Sequence, residues 1–372
     1  MNASLIFRHG VLAALLLIAS SGFSAEIRLD KALNEEVVFV ANGSGLFATQ
    51  LETTFFRPAG AGPFPLVVIN HGKAAGNPHF QARARYIVAA REFVRRGYAV
   101  MIPMRGGFSR SSGSYVSGGC NIEGNAITQA QDVRAALDHA VTLPFVDRGK
   151  IIVMGQSHGG LTTIAFGAQP YRGVLGLVNF AGGLRLTGCA SWEQGLVSAF
   201  ESFGEKNNYP SLWFYGDNDS YWPKELIGKM YSGYLASGGK ARMVAFGVFK
   251  GGDAHDMFGR RDGLGIWWPE VEKFLSELGL PTAVLPDAMA NDPARVRLVH
   301  ASQSLALSVR CKEVFESFLN ADSPKAFAVA DNRCGYAYGG EDPNKRAVDY
   351  CRGKTNVDCK VFAVDDAIVG EL

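Results

Sequence analysis

With 372 residues, 47% of them hydrophobic and 19% charged, the chain has ordinary globular composition and length for one large or two unequal domains. Its net charge of +2 gives no electrostatic case for nucleic acid or an anionic membrane surface as a partner.

Residues 1–25 read as an export signal. Arg8 and His9 precede an apolar run over 11–18, and Ser20, Ser21, Gly22 and Ser24 place cleavage after Ser24 or Ala25. The run is short for a membrane span, so no span is expected in the mature protein, and an uncleaved anchor is the lesser alternative. The expected location is periplasmic or secreted.

A catalytic domain is expected over 26–280. Residues 37–41 and 46–57 read as strands joined at Asn42-Gly43-Ser44-Gly45. Leu66-Val67-Val68-Ile69-Asn70 is a continuous apolar run, typical of a strand covered on both faces. Residues 80–96 read as a helix stopped by Gly97, and 98–103 as the next strand. A loop rich in glycine and serine covers 104–124. Helical spacing follows in Ile127, Ala130, Val133, Leu137 and Val141. Ile151-Ile152-Val153-Met154 reads as a buried strand, 161–169 as a helix and 174–180 as a strand. The chain then leaves the sheet, with a helix near 192–203, and returns at Leu212-Trp213-Phe214-Tyr215. A helix at 230–236, a strand at 242–249 and a closing helix at 266–278 complete the alternation. Strands alternating with helices predict a doubly wound, mostly parallel sheet with helices on both faces.

Residues 281–293, with three prolines, read as a linker. Residues 294–372 read as a small α+β module with a helix around 305–319, a strand at 326–329, a helix ending near Cys351 and a strand at 359–364. In an oxidising compartment the six cysteines suggest three disulfides. Sequence alone does not select a connectivity. Pairing neighbours gives Cys120–Cys189, Cys311–Cys334 and Cys351–Cys359. No CxxC pair is present and the histidines lie far off, so metal spacing fits poorly.

Gly155-Gln156-Ser157-His158-Gly159 lies between a buried strand and a helix, the context that G-x-S-x-G requires of a nucleophile. A serine hydroxyl needs a base, and the base an orienting carboxylate. Apart from His158, the histidines after Ser157 are His255 and His300. His255 sits in a glycine-rich loop after a strand and is the candidate base, whereas His300 falls in an amphipathic helix beyond the linker. The acid is expected after 212–215, where Gly216-Asp217-Asn218-Asp219 offers two. Asp219 is preferred because a tight turn would spend Asp217 on local amides, and Asp217 is the alternative. The His158 amide and the Lys73 amide, the latter at the end of a buried strand, are the expected oxyanion donors. Phe108, Tyr115, Trp192, Tyr221, Trp222 and Phe258 lie on loops expected to ring the pocket.

With these pieces in place, the chain resembles the α/β-hydrolase superfamily, near its dienelactone-hydrolase-like and prolyl-oligopeptidase-like branches. The resemblance is carried by His71-Gly72, Met104-Arg105-Gly106-Gly107-Phe108-Ser109, Gly155-Gln156-Ser157-His158-Gly159-Gly160, Gly216-Asp217-Asn218-Asp219 with Pro223, and His255. It spans residues 66–278 and leaves the C-terminal module unassigned. It implies Ser157, Asp219 and His255 as nucleophile, acid and base, with Lys73 and His158 as oxyanion amides. Serine stands where true dienelactone hydrolases carry cysteine, and no β-propeller precedes the catalytic part.

The expectation is an exported serine hydrolase cleaving carboxylic esters without a cofactor, acting on a small-molecule ester or a short peptide. A dipeptidyl- or oligopeptidase-like activity is the alternative. An envelope-binding protein on a hydrolase scaffold is the alternative of another class. The short excursion after Gly183 predicts a small lid and an open site, and the module is expected to be a disulfide-stapled appendage.

Overall fold

The computed structural model describes residues 29–45, 48–117, 119–186, 188–285, 293–303, 305, 307–355 and 357–370. The expected signal segment and most of the expected linker lie outside these residues.

The chain builds two sheets. The larger has eight strands: β1 (Glu36–Asn42), β2 (Thr49–Phe56), β3 (Phe64–Asn70), β4 (Ala99–Pro103), β5 (Val146–Gln156), β6 (Val174–Phe180), β7 (Pro210–Tyr215) and β8 (Lys240–Ala245). Their spatial order is β1-β2-β4-β3-β5-β6-β7-β8. β2 pairs antiparallel with β1 and β4, and every later pairing is parallel.

The central strands are apolar throughout because both faces are covered. Leu66 and Val68 of β3, with Ile151 and Val153 of β5, face α2 (Ile122–Ala140), α3 (His158–Gly167), α4 (Trp192–Lys206) and α5 (Lys224–Ala236). Their neighbours Val67, Ile69, Ile152 and Met154 face α1 (Ile87–Val94) and α6 (Leu264–Glu277). This is the two-residue alternation of a strand feeding two cores at once. Each such side chain taken from water contributes roughly 1.5–3 kcal/mol. The register lines up the carboxyl ends of β3, β5, β7 and β8, so the segments leaving them emerge on one side.

The helix expected over 80–96 is confined to α1. Residues 82–86 instead have no regular structure, Gln81 bridges to Glu341, and Tyr86 takes a left-handed φ of 43°. Charge explains the departure. Arg83 and Arg85 are buried and both bind the fully buried Glu35 carboxylate, Arg83 at 2.9 Å and the Arg85 Nε at 2.8 Å. Leaving either guanidinium buried and unpaired would cost about 3–5 kcal/mol, which outweighs helical propensity.

The smaller sheet has the order β10-β9-β11-β12, all antiparallel, from β9 (Lys325–Ala330), β10 (Arg333–Tyr338), β11 (Lys360–Val364) and β12 (Ala367–Ile368). α7 (Pro293–Ser302), α8 (Val309–Asn320) and α9 (Pro343–Arg352) accompany it. The helix expected around 305–319 starts only at Val309, because the Ser308 hydroxyl caps it by accepting from the Cys311 amide. β10 was not anticipated: Arg333-Cys334-Gly335-Tyr336 carries no apolar run, and its place comes from pairing with β9. Leu298, Phe315, Phe318, Phe327 and Phe362 form its own core.

The disulfides are Cys120–Cys189, Cys311–Cys334 and Cys351–Cys359, the pairs expected from neighbourhood. The last two tie α8 to β10 and α9 to the start of β11. Among the described residues, no helix is long and apolar enough to cross a membrane.

Candidate active site

Ser157 sits between β5 and α3 with φ 57° and ψ −124°, a conformation that costs a non-glycine residue about 1–3 kcal/mol. The flanking glycines make the turn possible through clearance. A Cβ at Gly155 would stand 2.3 Å from the Gly159 carbonyl oxygen, and one at Gly159 would stand 2.0 Å from the Asn70 carbonyl oxygen. Gly159→Ala is therefore expected to destabilise the protein by about 3 kcal/mol or more, read as a lower urea midpoint. A midpoint within error of the parent would contradict this packing.

Ser157 and His255 line one cavity of about 470 Å³. The His255 Nδ1 lies 3.0 Å from Asp219 Oδ2 and 3.2 Å from Oδ1. The Asp219 side chain is fully buried, and its Oδ1 also accepts from the Tyr221 and Trp222 amides at 2.8 and 3.1 Å. Asp217 is elsewhere: its side chain is 44% exposed and pairs with Lys224. The turn is instead held by Asn218, whose side chain bonds Phe249 and Gly252 backbone atoms. Asp253 caps the loop by accepting from the His255 and Ser220 amides. Gln156 couples the serine turn to the histidine loop, because its Nε2 donates to the His255 carbonyl at 2.7 Å. Its Oε1 accepts from the Tyr86 hydroxyl at 3.0 Å. His300 is on α7, away from this cavity.

The loop after β3 runs beside the serine. The Gly72 amide donates to the Tyr86 hydroxyl and the Ala74 amide to Gln81 Oε1. Lys73 between them lines the cavity, and α3 begins at His158 directly after Ser157, so its leading amides have no partner within the helix. The Lys73 ammonium folds back onto the Ala74 and Gly76 carbonyls.

Beneath this loop lies Arg105, fully buried. Its Nη2 donates to the His71 carbonyl at 2.8 Å and its Nε to Gln129 Oε1 at 2.9 Å. Its amide donates to His71 Nε2, and its guanidinium faces His158 Nδ1 at 3.3 Å. Burial pushes the guanidinium down to about 10, so it remains charged near neutral pH. Burial and the neighbouring Arg105 charge hold His71 and His158 far below the usual histidine range, so both rings are neutral. His158 Nε2 then donates to Asn125 Oδ1 at 2.7 Å. The motif Met104-Arg105-Gly106-Gly107 does not declare a task for Arg105; its one signal is a charge at the end of an apolar run.

Of the six aromatic residues expected around the pocket, Tyr221 lines the cavity and stacks on the His255 ring at 4.3 Å. Phe108, Trp222 and Phe258 are buried behind it. Phe108 packs on His71, Trp222 donates its indole N–H to the Ala181 carbonyl, and Phe258 stacks on Phe180. Tyr115 packs on Phe108 and His158, and Trp192 on Trp222. These rings fill the gaps that polar loops leave over the sheet edge.

The excursion after Gly183 gives the cavity no wall; the facing wall comes from the C-terminal module, through Asp322, Ser323, Pro324, Tyr338, Gly339, Gly340 and Arg346. The Tyr338 hydroxyl donates to Asp256, next to the histidine, and the Ala82 amide donates to the Gly340 carbonyl at 3.0 Å. Burial pushes the Asp322 carboxyl up to about 8. In the unfolded chain it would titrate near about 4, so between those values the folded state binds more protons and stability falls as pH rises. Asp322→Asn removes this term. Its stability relative to the parent is expected to be greater at pH 8.5 than at pH 5, measured by urea unfolding. A pH-independent difference would contradict it.

Among the described residues, no group of three or more His, Cys, Asp or Glu side chains is arranged to hold a metal ion.

The model of the X-Pro dipeptidyl-peptidase (S15) family matches residues 45–209. That stretch contains Ser157 but ends before Asp219 and His255. No curated protein matches the chain. A solved structure from Bacteroides ovatus ATCC 8483, given the name of a dipeptidyl aminopeptidase IV, superposes with a TM-score of 0.51 at 17% identity. The match covers 65% of this chain and 35% of that one, and it establishes the fold. Est1E from Butyrivibrio proteoclasticus, solved with ferulic acid bound, gives a TM-score of 0.48 at 19% identity over 65% of this chain and 98% of that one. A puromycin-hydrolyzing peptidase of Mycobacterium tuberculosis gives 0.49 at 17% over 70% and 42%.

Proposed function

We propose that this member of the α/β-hydrolase superfamily is a serine hydrolase that cleaves small carboxylic esters through an acyl-enzyme. The observation that carries the reading is the buried Asp219 carboxylate bonded to His255 Nδ1, with His255 and the strained Ser157 lining one cavity. His255 Nε2 takes the Ser157 proton as Oγ attacks the carbonyl, and Asp219 holds the Nδ1–H tautomer and the imidazolium that forms. The Lys73 and His158 amides receive the oxyanion. The imidazolium protonates the departing alcohol, and a water activated by the same histidine then releases the acid.

Arg105 and the neutral rings of His71 and His158 keep the loop carrying the Lys73 amide in register, so the oxyanion donors are set before substrate arrives. A cavity of about 470 Å³ is of small-molecule size, which favours a compact ester. A peptidase is the second reading, favoured by the S15 match over 45–209. Three disulfides point to an oxidising compartment, in keeping with export to the periplasm or beyond.

The test is titration with a fluorophosphonate probe read by intact mass. One adduct on the parent protein and none on Ser157→Ala is the expected result. A folded parent protein that takes no adduct would sink the assignment. Turnover of esters against peptides then separates the two readings.

A further inference from the structure

We propose that the C-terminal sheet is a wall of the substrate cleft, where Asp322 and Tyr338 grip an uncharged, hydroxyl-bearing part of the substrate such as the sugar side of an ester. The proposal rests on the reading of Ser157 as nucleophile and names the substrate class of that site.

The first argument is placement. Asp322, Ser323 and Tyr338 line the same cavity as Ser157 and His255. Several independent contacts hold them there: Tyr338 to Asp256, the Ala82 amide to Gly340, and Arg85 to Asp365 at 2.7 Å. The histidine loop makes room for the carboxyl. A Cβ at Gly259 would stand 3.0 Å from Asp322 Cβ and 3.2 Å from Oδ2.

The second argument is charge. Every other formal charge on the cavity wall is engaged within the protein. Lys73 donates to the Ala74 and Gly76 carbonyls, and Arg260 to Asp262. Arg346 donates to the Gly339, Glu341 and Tyr338 carbonyls. Asp253 accepts from two amides, and Asp256 accepts from Tyr338. A cationic substrate group would have to compete with these donors for Asp253 and Asp256, whereas Lys73 and Arg346 meet only carbonyl oxygens.

What remains is of another kind. Asp322 Oδ1 is sealed without a hydrogen-bond partner among the described residues, which a neutral carboxyl tolerates far better than a carboxylate. Burial that raises this group to about 8 keeps it protonated near neutral pH. The carboxyl also takes a hydrogen bond from the Ser323 backbone, so what it has left for an alcohol is the proton or lone pair of the unpartnered Oδ1. The Ser323 hydroxyl beside it offers the same neutral chemistry, and the Tyr338 phenol, whose proton goes to Asp256, keeps a lone pair to accept with. An apolar alcohol would leave these groups unpaired, which is how a hydrogen-bonding site rejects an isostere.

The experiment compares four acetates on the full chain: a monoacetylated methyl glucoside, cyclohexyl acetate, 4-acetoxypiperidine as its cation, and 4-nitrophenyl acetate. The glucoside ester is expected to exceed the cyclohexyl ester at least tenfold in kcat/KM. Asp322→Ala is expected to reduce that ratio about tenfold, mainly through KM. Asp322→Asn, which keeps a donor and an acceptor, is expected to stay within about threefold of the parent ratio. Tyr338→Phe is expected to lower the ratio as well, and with Asp322→Asn it supplies the reading if the alanine variant does not fold.

Equal turnover of the glucoside and cyclohexyl esters, or a uniform loss across all four in Asp322→Ala, would overturn the proposal. A preference for the cationic ester that Asp322→Asn abolishes would overturn it in favour of an ammonium group. Fluorophosphonate labelling of the same preparations separates the two levels. An adduct on Ser157 without glucoside preference removes this proposal alone, whereas no adduct on folded protein removes the nucleophile reading and this one with it.

Discussion

Ser157→Ala is expected to lower kcat for ester hydrolysis by about a millionfold, and His255→Ala by about as much. The double variant is expected to lose no more than either alone. In the proposed mechanism the two groups act as one device: without the base, the hydroxyl keeps its proton, and without the hydroxyl, the base has nothing to activate. What survives, about a thousandfold over water, is expected to come from binding and the proposed oxyanion amides of Lys73 and His158, which neither change touches. Steady-state kinetics on one activated ester checks this. Losses that multiplied in the double variant would mean that Ser157 and His255 work independently, and the acyl-enzyme reading would fail.

Asp219→Asn is expected to cost about ten thousandfold in kcat, and Asp217→Asn less than twofold. The two residues are neighbours in the chain but not in chemistry. The Asp219 side chain is fully buried, 3.0 Å from His255 Nδ1, and holds the Tyr221 and Trp222 amides with the same carboxyl. An amide there can still accept from those backbone groups, so the turn should persist. The Asn can instead offer an N–H to Nδ1, which turns the ring to the wrong tautomer and leaves an imidazolium without a counter-charge. Asp217 meets only Lys224 at the surface, where an ion pair contributes about 0–1 kcal/mol. Comparable losses in the two variants would reassign the acid.

Much of this was legible in the chain itself. The strands over 66–70, 151–154 and 174–180 declare themselves because burial on both faces forces apolar runs, and the expected order of serine, acid and histidine was drawn from where such strands end. Asp219 could be preferred to Asp217 from turn geometry alone. The reason proved slightly different, since Asn218 rather than Asp217 holds the turn. What escaped was whatever depends on distant pairs. The stretch at 81–86 looked helical until Glu35, nearly fifty residues earlier, is seen to bind Arg83 and Arg85. Phe108, Trp222 and Phe258, expected around the pocket, are in the core instead, because a ring on a polar loop is as useful for filling space as for meeting a ligand. The cleft wall from Asp322 and Tyr338 could not be read at all, since no local pattern shows that a second sheet docks there.

That docking sets an order of events on heating. The small sheet has its own apolar cluster around Phe315, Phe318 and Phe327 and its own two disulfides, and it meets the large one mainly through polar contacts. Such a seam parts more readily than either core melts. Selectivity among substrates should therefore fade at a lower temperature than turnover of a small activated ester, with the bulk unfolding transition later still. Heat would first make the protein indiscriminate and only afterwards inactive.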